Sequence, residues 1–67
     1  MFCVFLEGQY DSMWRTLEVA RTAAKGLAKQ SASPVMIYRS LKGADPRNCN
    51  DPHMQYVATE HPATDKG

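Results

Sequence analysis

Residues 11–31, DSMWRTLEVARTAAKGLAKQS, decide how this sequence is laid out. Asp11-Ser12 offers a short side-chain oxygen to the unpaired amides of a first helical turn. From there Met13, Leu17, Ala20, Ala24 and Leu27 recur at steps of three and four, which places them on one helical stripe. Thr16, Ala23 and Ala28 flank that stripe, and Arg15, Glu18, Thr22, Lys25 and Lys29 lie opposite. The spacing predicts a helix over residues 12–31. Gly26 weakens it by about 1 kcal/mol relative to alanine. Pro34 ends it, because proline disfavours helical geometry in the residue before it. An alanine-rich stripe allows close approach to a sheet, provided the sheet supplies the bulk.

Phe2-Cys3-Val4-Phe5-Leu6 supplies such bulk. It has no polar alternation, so it reads as a strand that is covered on both faces or turns one apolar face to a partner. Val35-Met36-Ile37-Tyr38-Arg39-Ser40-Leu41 reads as a second strand, with Val35, Ile37 and Leu41 on one side and Met36 and Tyr38 on the other. Residues 42–53 carry Gly43, Pro46 and Pro52 and read as a mobile loop. Met54-Gln55-Tyr56-Val57-Ala58-Thr59 reads as a third strand, and residues 61–67 as a frayed tail. The expected fold is α+β, β-α-β-β: one amphipathic helix on one face of a three-stranded mixed sheet, in one domain over residues 1–60. The preferred strand order is 1-3-2, with the first crossover right-handed; order 1-2-3 is the alternative.

At 67 residues the chain buries a modest core. Its formal net charge of +1 excludes a strongly basic or acidic binding mode for the chain as a whole, so electrostatic arguments must come from local patches. Two cysteines, Cys3 and Cys49, are too few for a disulfide framework and point to reduced thiols. The N-terminal apolar run stops at Leu6, has no basic flank and is too short to span a bilayer. The expectation is a cytoplasmic protein with no membrane partner.

In this layout one helix covers one side of the sheet. With Val4, Leu6, Val35 and Ile37 toward the helix, Cys3, Phe5, Met36 and Tyr38 face away, joined by Val57 or Tyr56. Such a face marks an interaction site, and burying ~400 Å2 of it yields on the order of 10 kcal/mol of gross transfer energy. The competing arrangement is that the loop or the tail folds over the patch. Trp14, at the edge of the stripe, is either a rim residue of the core or an interface anchor.

Other chemistry has thinner support. Arg15, Arg21, Lys25 and Lys29 stand against Glu18 alone on the helix and, with Arg39, make a candidate anion-contact surface. The plainer account is that Lys25 and Lys29 complement the helix dipole near its C-terminus. Phe5 and Tyr38 have the side chains of a base-stacking platform, but Arg39 should point away from Tyr38 and the glycine-aromatic signature is absent. Cys49, Asp51, His53 and His61 match no compact zinc spacing, and a Cys49–His53 nucleophile lacks a pocket and an orienting group. No glycine-rich phosphate loop appears.

The sequence therefore predicts a non-catalytic interaction module without metal or cofactor. It would occupy a surface of a larger protein, or a second copy of itself, through Cys3, Phe5, Met36, Tyr38 and Trp14. Chain size alone suggests an inhibitor of a bacterial host or defence complex, of the kind phage and mobile elements encode. The alternative is a nucleic-acid-binding module using the basic helix face.

Overall fold

A computed structural model describes residues 1–62. The elements run β1 (Phe2–Leu6), β2 (Gln9–Trp14), α1 (Leu17–Ser31), β3 (Val35–Ser40) and β4 (Met54–Glu60). They form an α+β fold in which α1 packs on one face of a four-stranded sheet of order β2-β1-β3-β4, antiparallel at every junction.

The three-stranded mixed sheet expected from the sequence is corrected at its first turn. Glu7 and Gly8 both take positive φ, 52° and 80°, which is the geometry of a two-residue hairpin loop whose twist matches that of its strands. Gly8 meets that requirement without steric cost; Glu7 accepts the strain. The chain then returns along β1 as β2, so residues 12–14 are strand rather than the start of the helix. Helix α1 begins later, at Thr16, whose Oγ1 accepts the Val19 amide at 3.2 Å. It ends at Ala32, a left-handed residue at φ 57°.

Strand order changes for the same reason. β2 and β3 both run antiparallel to β1, so they are parallel to each other and α1 crosses over β1 to join them. The 1-3-2 order fails because β3, not β4, lies beside β1. Both outer ladders are irregular, with register shifts at Val4/Phe5 against β2 and at Ile37/Tyr38 against β4.

The helix-facing core joins Val4, Val35 and Ile37 to Ala20, Ala24 and Ala28, all fully buried, with Phe2, Leu6, Trp14, Leu17, Leu27 and Val57 packed around them. The alanines bring the α1 backbone down onto the sheet, and β-branched residues fill the space between. Leu41, expected to extend this face, lies past the end of β3 and is exposed.

Two substitutions test this packing. Ala24→Leu forces extra volume into a closed contact and should destabilise by about 1–3 kcal/mol. Gly26→Ala, whose new methyl meets nothing within 4 Å, should stabilise by about 0.5–1 kcal/mol. Denaturant midpoints at constant slope measure both.

Candidate functional site: an aromatic row across the back of the sheet

Strand alternation and register place Cys3 and Phe5 of β1, Tyr10 and Met13 of β2, Met36 and Tyr38 of β3, and Tyr56 and Thr59 of β4 on the face away from α1. Four of these side chains form one row across every strand. Tyr10 meets Phe5 with ring centroids 6.0 Å apart, Phe5 meets Tyr38 at 5.5 Å, and Tyr38 meets Tyr56 at 5.8 Å. Each contact is edge to face, with interplanar angles of 76°, 83° and 75°, the arrangement that ring quadrupoles favour.

This face is not open along its length. Cys3 is 0% and Phe5 1% exposed, so two residues expected to meet a partner are sealed within their own chain. Residues 41–53 provide the cover. Cys49 Sγ lies 3.9 Å from the Gly8 carbonyl, and the Arg47 guanidinium stands 5.6 Å from the centre of the Tyr10 ring. The segment therefore leaves β3 at Ser40, runs under the sheet to the hairpin turn and returns to β4. Half-buried Ala44, Pro46 and Cys49 are its apolar contributions.

The open end of the row lies at β3 and β4. Met36 is 40% and Tyr56 54% exposed, and Tyr38 is half-buried between Phe5 and Tyr56. The Tyr38 hydroxyl approaches Met36 Sδ at 3.7 Å, and the Tyr56 hydroxyl shares a 2.6 Å hydrogen bond with Thr59 Oγ1. Burial holds the Tyr38 hydroxyl above its usual pKa, with Cys49 and Tyr56 adding to the effect. Met36, Tyr38, Tyr56 and Thr59 include no acidic carboxyl and no lysine or arginine.

Trp14 lies on the other face. Its indole N–H donates to Ser12 Oγ at 2.9 Å, and its ring packs on the core. With Glu18, Val19, Thr22 and Ala23 it lines a groove of about 470 Å3 between α1 and β2. It is thus separated by the sheet from Met36 and Tyr38, with which it was grouped.

The basic residues are dispersed. Arg21 Nε donates to Glu60 Oε2 at 2.9 Å, a pair that satisfies the buried Glu60 carboxylate on the helix face. Arg15, expected on the helix, lies in the link between β2 and α1; Lys25 and Lys29 are exposed on α1 with Glu18, and Arg39 sits opposite Phe2 and Gln55, across the sheet from Tyr38. Burial pushes the Cys3 thiol pKa up, against a side-chain hydrogen bond with Ser40 and the N-terminal charge, which makes it a poor nucleophile. Both cysteines are free, and among the described residues no three metal-capable side chains gather. No helix among these residues is long and apolar enough to cross a membrane.

Tyr10, Tyr56 and Arg47 complete the arrangement, and of these the strand pattern in the sequence points only to Tyr56. The signal for Tyr10 was the Glu7-Gly8 pair, which reads as a two-residue hairpin loop ahead of a strand. No protein-family model, curated protein or solved structure matches the chain.

Two measurements follow from the cover. Phe5→Ala empties a sealed position and should cost about 3–5 kcal/mol, whereas Tyr56→Ala, at the open end, should cost less than about 1 kcal/mol. Equilibrium unfolding in urea separates the two. The covering segment is also sensitive to acid, because the amides of His53 and Asp45 hold the Asp51 carboxyl below the usual aspartate pKa. A lowered folded-state pKa stabilises above the unfolded-state value and loses that contribution as pH falls through the folded value. Wild type should therefore exceed Asp51→Asn in stability at neutral pH, with the difference closing as the pH drops below about 4. Unfolding midpoints across that range check it.

Proposed function

We propose that this protein is a non-catalytic interaction module, and that its contact with another protein is anchored at the open end of the aromatic row, on Met36, Tyr38 and Tyr56. The observation that carries this reading is the adjacency of two large exposed side chains, Met36 and Tyr56, around a half-buried tyrosine on one face of the sheet. Tyrosine and methionine are enriched in protein interfaces, the first rigid and amphipathic, the second deformable. A buried row behind them fixes the exposed rings, so little order remains to be imposed on binding.

Charge favours a protein over nucleic acid at this end. Phosphates need cations beside the stacking rings, and Arg39 lies on the opposite face while Arg47 stands over Tyr10 at the far end of the row. Two half-exposed side chains offer roughly 200 Å2, against ~800 Å2 per partner in stable complexes. Met36 and Tyr56 thus act as the anchor of a wider contact. The further suggestion of a mobile-element inhibitor rests on chain length and adds no residue to this surface.

Affinity capture with Tyr56→Asp and with Lys25→Glu/Lys29→Glu tests the reading, alongside light scattering over a concentration series. The expected result is a protein retained at high salt by wild type and by the lysine variant, and lost with Tyr56→Asp. Retention by Tyr56→Asp overturns it, as does capture that depends on the lysines and disappears with salt. Concentration-dependent dimerisation abolished by Tyr56→Asp would identify the partner as a second copy.

A further inference from the structure

We infer that residues 41–53 are a strap that lifts from the sheet as a unit and bares the inner part of the aromatic row. On the reading above, that movement extends the contact surface from Tyr56 toward Phe5 and Tyr10.

The strap is built to survive lifting. Its ends are clamped by the Leu41 amide donating to the His53 carbonyl at 3.0 Å. Between them run successive turns: the amides of Ala44, Asn48 and Asp51 donate to the carbonyls of Leu41, Asp45 and Asn48 at 3.0, 3.0 and 3.1 Å, and the Met54 amide to the Asp51 carbonyl at 2.9 Å. The Asp51 carboxylate ties the loop across its middle, accepting the Asp45 amide at 3.1 Å and the His53 amide at 2.8 Å. Of these bonds only that of the Met54 amide reaches a strand residue, at the start of β4, so the rest can persist when the strap moves.

Its hold on the sheet is slight by comparison. Among the described residues, apart from the Met54 amide at its root, the hydrogen bond from the strap's interior to the sheet side is that of Cys49 Sγ to the Gly8 carbonyl, and it is long at 3.9 Å. The Arg47 contact with Tyr10 involves an exposed guanidinium, where such attraction is weak. The apolar footprint is Ala44, Pro46 and Cys49, with no large aliphatic or aromatic residue: Leu41, the only candidate, stays 40% exposed. Segments with few buried apolar contacts open at lower free energy than the fold as a whole. Beneath the strap, the ring contacts from Tyr10 to Tyr56 are made within the sheet and persist without it.

Cys3 reports the movement. It is fully buried on the strap's face, and α1 lies on the other side. Pulsed alkylation of the full chain, with each cysteine quantified separately by mass spectrometry across sub-denaturing urea, gives its opening rate. Cys3 should be modified with a much shallower urea dependence than global unfolding. Arg47→Ala should speed that modification about two- to fivefold, leaving the global midpoint nearly unchanged. Modification of Cys3 only at the rate and urea dependence of global unfolding, unaltered by Arg47→Ala, overturns the inference. The readout needs no partner, so it stands or falls separately from the capture experiment.

Discussion

Strand β1 must be covered twice. Its five residues carry no polar side chain, and as an interior strand it has neighbours at both edges, so both faces need an apolar lid. On one side α1 answers with three alanines that let the helix sit close to Val4. On the other, no second helix is present among the described residues, and the link between β3 and β4 reaches across that face to the Glu7-Gly8 turn instead. The sheet, the helix and the strap are thus arranged around one demand, and it comes from the most hydrophobic stretch of the sequence.

The two covers differ in kind. The alanine stripe is buried along its length, while the strap brings alanine, proline and cysteine and, apart from Asp51, leaves its polar residues exposed. A helix held by a continuous stripe moves only when the fold does. A loop that satisfies its own amides through Asp51 and rests on a small apolar footprint has no such obligation. The asymmetry also explains why the aromatic row is sealed in the middle and open at one end: the strap reaches Gly8 and Tyr10 but leaves Met36 and Tyr56 uncovered.

Much of the helix-side packing was legible from periodicity. Ala20, Ala24 and Leu27 were assigned to the stripe, and Val4, Leu6, Val35 and Ile37 to the facing strands, because both patterns are strictly local. The second strand was not, because Asp11-Ser12 is a good cap and Met13 fits the helical step, so the helical pattern hid a hairpin whose signal lay in two residues, Glu7 and Gly8. With β2 missed, the direction of β3 and the strand order followed wrongly. The open back face failed for a different reason: whether a polar loop lies over a sheet depends on long-range closure, and residues 42–53 look like any turn-rich connection until Cys49 is found beside Gly8. Parity survived where cover did not. Met36 and Tyr38 do face away from the helix, but Phe5 and Cys3 are shut in.

The edges of the sheet bear on how a partner would approach. Both outer strands are interrupted, β2 near Asp11 and β4 near Val57, and bulges of this kind twist an edge away from strand-to-strand pairing. Val57 is the middle residue of β4, so the interruption falls where a symmetric pairing of two β4 strands would have its centre. An incoming chain therefore meets broken backbone ladders at either edge but an ordered surface of rings on the face beside β4. For the contact proposed above, that contrast favours side chains docked on Tyr56 and Met36 over strand addition.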